Sequence, residues 1–233
     1  MQDIKNANKL IVNNHYHELL NKVSELDYLD QTLINNYESD LLAALEDGLL
    51  AIDASDTVAL ISQERNNVIL VLESLYLNNY RENAKLEILD DANYIKDLLS
   101  TYTHITGVRV DELKSAVDNQ TSISNDLIDS DDSILAVDRR INETKDYFRT
   151  LLDTAKNEID TMILEIEKQA AKYAIIDYVD DTYGVLPISD QTNYLVDQAH
   201  ADIDSAQSIK ELETIYQAYL NNITNQFQRE ILL

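Results

Sequence analysis

A short motif occurs three times in the chain, and its spacing restricts the fold more than any other feature. Ile52-Asp53-Ala54-Ser55-Asp56-Thr57-Val58 is followed by Ile128-Asp129-Ser130-Asp131-Asp132-Ser133-Ile134, 76 residues on, and by Ile203-Asp204-Ser205-Ala206-Gln207-Ser208-Ile209 after a further 75. A near-constant period of this size marks an internal repeat. The register continues downstream. Six, nine, twenty and twenty-four residues after the Ile stand Val58, Ile61, Leu72 and Tyr76 in the first copy. The second copy has Ile134, Val137, Phe148 and Leu152 there, and the third Ile209, Leu212, Ile223 and Phe227. These offsets are built from steps of three and four, so each motif predicts the start of a helix with one apolar stripe. Four residues before each Ile comes Gly48, Ser124 or Ala199, small enough for two backbones to approach.

Long stretches without chain breakers extend this pattern. Between Thr57 and Gly107, and between Ser133 and Gly184, there is neither Gly nor Pro. Each stretch predicts one continuous helix, the first of up to about 47 residues. Three Gly, one Pro and 45% hydrophobic residues suit an all-α chain, since strand-and-turn folds need more punctuation. Within the first copy a helix is expected from Asp3 to about Leu26, with Ile4, Ala7, Ile11, Leu19, Val23 and Leu26 on its buried face. Asp30 then caps a second, carrying Leu33, Ile34, Leu41, Leu42, Leu45 and Leu49. Gly107 and Gly184 are expected as left-handed C-caps closing the long helices. Second helices follow through Val110, Leu113, Ala116 and Val117, and through Tyr194, Leu195 and Ala199. Asn119-Gln120-Thr121-Ser122 predicts a fray, kink or early end, and Ser208 with Glu211 a capping box. The resulting expectation is three tandem three-helix bundles, over residues 1–80, 81–156 and 157–233, joined by long shared helices into an elongated rod. Asn83, midway along the first shared helix, is expected to lie where neither bundle supports it, and Ile134 to occupy a repeated core position.

This layout resembles spectrin-type repeats. The third copy also resembles the albumin-binding (GA) and related three-helix modules of Gram-positive surface proteins, through Tyr183-Gly184-Val185, Ser189-Asp190, Leu195-Val196, Ala199, Ser208-Ile209, Leu212 and Ile223. The resemblance implies a bacterial cell-wall protein whose repeats act as spacers or bind host proteins.

Composition removes several functions. With 43 acidic against 18 basic residues the net charge is −25, which repels nucleic-acid phosphates and anionic lipid surfaces. Absence of Cys excludes disulfide and thiol chemistry. No apolar run of about 18 residues is present, so no membrane insertion is expected. The start lacks a signal peptide's apolar core, which fits either a cytosolic chain or a piece of a longer surface protein.

Candidate sites fail on spacing. His17-Glu18-Leu19-Leu20-Asn21 opens like a zinc-protease helix but has Asn21 where the second His is needed, and His15 and His17 point away from one another on a helix. Asp126, Asp129, Asp131 and Asp132 suggest a calcium loop, yet the glycine and the terminal glutamate that such a loop requires are missing; an acidic corner capping backbone N–H groups is the expected role. No phosphate-binding loop and no nucleophile elbow is present. Catalytic, cofactor-binding and metal residues are therefore all set at none, and the chain is expected to be a monomer and not an enzyme. Tyr is abundant, with fourteen residues. Tyr76, Tyr147, Tyr173, Tyr194 and Tyr219 are expected at bundle boundaries. Any protein partner is expected on one helix face around Tyr194, Ala199 and Ile203. The leading expectation is a non-catalytic stalk or adhesin segment on a bacterial surface. A partner-binding module and an intracellular or phage scaffold are the alternatives.

Overall fold

The structure, a computed structural model, describes residues 1–232, so Leu233 of the expected third bundle lies outside it. Among these residues there are seven helices and no strand: α1 Gln2–Ser24, α2 Gln31–Ala54, α3 Val58–Ser100, α4 Gly107–Ser130, α5 Ile134–Tyr183, α6 Asp190–Ser205 and α7 Ile209–Ile231. The two breaker-free stretches become helices of 43 and 50 residues. The chain divides into two compact units. One comprises Met1–Thr101 and Val108–Leu152, the other Tyr102–Gly107 and the chain from Asp153 onward. The first two motifs fall in the first unit and the third motif in the second.

In the first unit α1, α2 and the N-terminal part of α3 pack around Val12, Tyr16, Leu19, Val23, Leu41, Leu45, Ile52, Ile61 and Leu72. The buried face of α1 departs from the expected one in its first half, where Ile4 and Ile11 are exposed and Val12 and Tyr16 face the core, whereas Leu19 and Val23, and Leu26 just beyond the helix, are buried as expected. Leu42 is likewise exposed. Polar contacts tie the rest of α3 to α4 and α5. Lys96 Nζ donates to Asp118 Oδ1 at 2.7 Å, Lys145 Nζ to Glu87 Oε1 at 2.5 Å, and the Ser124 and Thr144 hydroxyls meet at 2.6 Å. In the second unit Ile175, Val179 and Tyr183 of α5, Ala199 and Ile203 of α6, and Leu212 and Ile223 of α7 share one core. The Tyr183 hydroxyl donates to Glu230 Oε2 at 2.7 Å and meets Thr192 Oγ1 at 2.6 Å, joining the end of α7 to the start of α6.

Several local expectations change. Gly184 takes φ +56° and closes α5 as foreseen, its N–H donating to the Asp180 carbonyl at 2.8 Å. Gly107 does not cap α3, which ends at Ser100 with Thr101 in an ordinary right-handed conformation; it opens α4 instead. No break occurs at Asn119 to Ser122: α4 runs through the segment between buried Val117 and Ser124, with Thr121 Oγ1 donating to the Val117 carbonyl at 2.9 Å and Gln120 Nε2 to Ser124 Oγ at 3.2 Å. Asn83 is buried, and its Oδ1 accepts the Tyr28 N–H at 2.9 Å, securing the loop between α1 and α2. Ile134 is the first residue of α5 and is 37% exposed, so it is not a core position.

The small residue before each motif is buried in every copy, and what faces it differs. At Gly48 α2 meets α3 so closely that an added Cβ would lie 2.2 Å from Val68 Cγ2 and 2.6 Å from Cγ1. The residues at the Val68 position in the other copies are Thr144, bonded to Ser124, and Tyr219. Gly48→Ala is expected to destabilise the first unit by about 1–3 kcal/mol through overpacking, although Ala is the better helix former by about 1 kcal/mol. Adding Val68→Ala should recover much of the loss. Urea denaturation of the single and double variants checks this, and a Gly48→Ala protein of unchanged or raised stability would show that the helices simply move apart.

Candidate functional site, a charged clamp at each corner

Each motif forms a tight corner between two helices, and its chemistry follows from the backbone groups left over there. The last turn of a helix has carbonyls without intrahelical partners and the negative end of the helix dipole, which together favour a cation. The last turns of α2 and α6 contain no basic residue of their own. The cation comes from the preceding helix.

In the first copy Lys9 pairs with Asp53, and Lys5, one turn earlier, donates to the Asp53 carbonyl at 2.5 Å. In the second Lys85 pairs with Asp129, and Arg81 Nε donates to the Asp131 carbonyl at 3.1 Å. In the third Lys172 pairs with Asp204, and Lys168 Nζ donates to the Asp204 carbonyl at 3.0 Å. Each clamp therefore uses two cations four residues apart on one helix face. One holds the motif's Asp and the other the corner's backbone. Burial opposes the charge on Lys85, but its bonds to Asp129 and Glu82 outweigh this and raise its pKa above the usual lysine value. That contribution is complete below the unfolded lysine's pKa and is lost as pH rises through the raised one.

The remaining geometry of the corner repeats as well. The N–H of the third residue after the Ile, in Ser55, Asp131 and Ala206, donates to the Ile carbonyl at 3.4, 3.3 and 3.2 Å. The fifth residue is the N-cap: Thr57, Ser133 and Ser208 hydroxyl oxygens accept from Leu60, Ala136 and Glu211 N–H at 3.2, 3.3 and 3.2 Å. Glu211 completes the third cap by accepting from the Gln207 N–H at 2.8 Å, one residue before the position expected for a capping box. Below each corner Ile52, Ile128 and Ile203 are fully buried.

The acidic corner around Asp126 to Asp132 is organised by cations of the protein itself. Arg140 Nε lies 3.3 Å from Asp131 Oδ2, Lys85 holds Asp129, and the Arg81 guanidinium takes the Asp131 carbonyl. His15 lies beside Glu73 at 3.5 Å and Glu18 at 4.0 Å. No group of three His, Cys, Asp or Glu arranged to hold a metal ion occurs among the described residues.

The residues expected on a partner-binding face separate. Tyr194 is 56% exposed, whereas Ala199 and Ile203 are fully buried in the core of the second unit and present nothing to a partner. The tyrosines separate too: Tyr76 is buried, Tyr219 half-buried, and Tyr147, Tyr173 and Tyr194 are exposed, so only the first two sit at a core edge. Burial and a 2.6 Å bond to Asp202 push the Tyr219 hydroxyl up to about 12.

The fold and the corners define an all-helical chain in which one charged corner is built three times. Comparison with protein-family models, with curated proteins and with solved structures finds no match. No helix among the described residues is long and apolar enough to cross a membrane.

Replacing the clamp aspartates tests their part in stability. Asp53→Asn, Asp129→Asn and Asp204→Asn should each cost roughly 0.5–1 kcal/mol, because the pairs are partly exposed and screened by solvent. The sites share no partners, so a triple variant should lose about the sum. Denaturant titration at low and high salt reads this, with Asp90→Asn, an exposed carboxylate outside the corners, as the control. A triple variant no weaker than the control would remove the clamps' energetic role.

Proposed function

We propose that the chain is a non-catalytic spacer, a stalk or adhesin segment of a bacterial surface protein, made of three tandem three-helix bundles in an extended array. The observation that carries this reading is the threefold clamp. An Asp at the same place, two cations four residues apart and a Ser or Thr N-cap recur at each corner, and the 43- and 50-residue helices lead from one copy of the corner toward the next. What recurs is structural machinery, as in repeat proteins whose units contact only their neighbours. The surface location is what the resemblance to Gram-positive modules implies, and the large negative charge suits a chain that stays apart from its own copies.

Small-angle scattering tests the extended array. A compact globule of this length has a radius of gyration of about 17 to 18 Å. The proposal expects a value at least half as large again, and a value near the globular one overturns it. A second reading, a module that binds a host or partner protein through a helix face, is favoured by Tyr173 and Tyr194, which are 67% and 56% exposed in the second unit. Tyr side chains so presented are common binding anchors. Replacing both by Ser would abolish such binding and leave scattering unchanged.

A further inference from the structure

The clamps align the three copies residue by residue, and this alignment exposes a difference in the third. Consider the groove between the helix carrying the clamp cations and the helix that opens at the corner. The residue just before the first cation is Ile4, Tyr80 or Glu167, and the third residue after it is Asn8, Ala84 or Ala171. On the other helix, ten and thirteen residues after the motif's Ile, stand Ser62 and Arg65, Asp138 and Ile141, or Glu213 and Tyr216. In the first copy the groove is crossed by Arg65, whose Nη1 donates to Asn8 Oδ1 at 3.2 Å. The second copy is crossed by Tyr80, whose hydroxyl donates to Asp138. The positions equivalent to Tyr80 and Asp138 in the third copy hold two carboxylates, Glu167 and Glu213, which cannot bond to each other when ionised.

The third groove is correspondingly open. Its volume is about 350 Å³, its floor is Ala170, Ala171, Ala174, Leu212 and Tyr216, and Glu167 and Glu213 stand on its rim. Both carboxylates are exposed, and neither is paired with a cation among the described residues. A second hollow of about 320 Å³ continues past the shared Ile209 to Ile163 and Asp160. From Asp160 to Ala174 is about 21 Å along α5 at the rise of a helix, the length of roughly four helical turns. An apolar floor between two unpartnered carboxylates is complementary to a cation on an apolar stem.

We propose that this α5–α7 groove is a docking site for an amphipathic helix of a partner protein, which lays an arginine or lysine between Glu167 and Glu213 and its apolar face on the alanines. Two features narrow the occupant. The net charge of −25 opposes a second copy of this chain, and acidic or phosphate-bearing ligands meet the same repulsion. The floor of three alanines leaves space for a helix that larger side chains would fill. The proposal goes beyond the spacer reading and does not rest on it, since scattering tests that reading alone.

The experiment titrates the full chain into a labelled synthetic helix of about fourteen residues, with leucines on one face and arginines on the other, and reads fluorescence anisotropy. Glu167→Gln with Glu213→Gln should weaken binding about tenfold or more. Ala170→Leu, an exposed position at which the fold can be checked by circular dichroism, should weaken it as well by filling the groove. Glu46→Gln with Asp90→Asn makes the same charge change at exposed sites in the first unit and should change affinity less than about twofold. Equal losses in the two double variants would mean that the overall negative field binds the peptide, and would overturn the site. An arginine-only peptide that binds as tightly would overturn the apolar part, and no binding of the leucine–arginine helix would overturn the whole.

Discussion

Asn83→Pro is expected to cost the first unit about 4 kcal/mol or more. Three losses combine. Proline removes one backbone hydrogen bond of α3 and its ring clashes with the preceding turn, at about 3 kcal/mol. The Asn83 side chain goes too, and the Tyr28 N–H it receives at 2.9 Å is left without that acceptor, a further 1–3 kcal/mol or so where water cannot replace it. The neighbours Asn79 and Ala84 are buried, so a kink here also disturbs packing. Domains are stable by only about 5–15 kcal/mol, and a large share would disappear. Asn83→Ala separates the terms, since it removes the acceptor and keeps the helix; it should cost about 1–3 kcal/mol. Ile134→Pro should do almost nothing, within about 0.5 kcal/mol, because the first helical position has no intrahelical N–H bond to lose and proline's fixed φ suits it. Urea titrations followed by circular dichroism decide the set. Asn83→Pro no worse than Asn83→Ala would mean that α3 is already broken at this point, and a large loss for Ile134→Pro would move the start of α5.

The second large effect is at the motif's own Ile. Ile52, Ile128 and Ile203 each have no exposed surface, and truncation to Ala should cost about 2–5 kcal/mol at each. The apolar residue six places on behaves differently. Val58, Ile134 and Ile209 are 48, 37 and 45% exposed, and the same truncation there should cost less than about 1 kcal/mol. Thermal or chemical unfolding of the six variants tests the contrast. If both sets lose equally, the corners are buried in a way that the structure does not show.

Much of the secondary structure was legible in the sequence because it is written in local signals. The caps at Asp30 and Ser208, the turn at Gly184 and the breaker-free helices follow from residue types at fixed offsets. Face assignment was less secure. In α1 the expected face joins Ile4 and Ile11 to Leu19 and Val23; packing against α2 and α3 keeps the last two and continues their stripe back through Tyr16, Val12 and Asn8 instead. Repetition misled at Val58, Ile134 and Ile209, where a recurring apolar identity stands for an exposed helix start. Nothing in the structure explains why all three are apolar. The clamp was hidden by its spacing. Lys9 and Lys85 lie 44 residues before their aspartates, but Lys172 lies only 32 before Asp204, so no single period connects cation to anion. The open groove had no readable signal at all, since it becomes apparent only once the clamps have aligned Glu167 with Tyr80 and Glu213 with Asp138.

That change of spacing has a consequence for how such chains can vary. The middle helix has 24 residues in the first two copies and 16 in the third, while the corner that follows it keeps the same bonds. The eight missing residues are at the start of the helix, far from the corner, and amount to two turns and about 80° more, so Ala199 and Ile203 keep their places because they are set from the corner side. Loss of a single residue between Ala199 and Ile203 would instead rotate one against the other by about 100° and carry Ala199 out of the core. Copies of this segment are therefore free to differ in length at the end of the helix far from the corner, without keeping to whole turns, so long as the residues counted back from the motif's Ile stay in place.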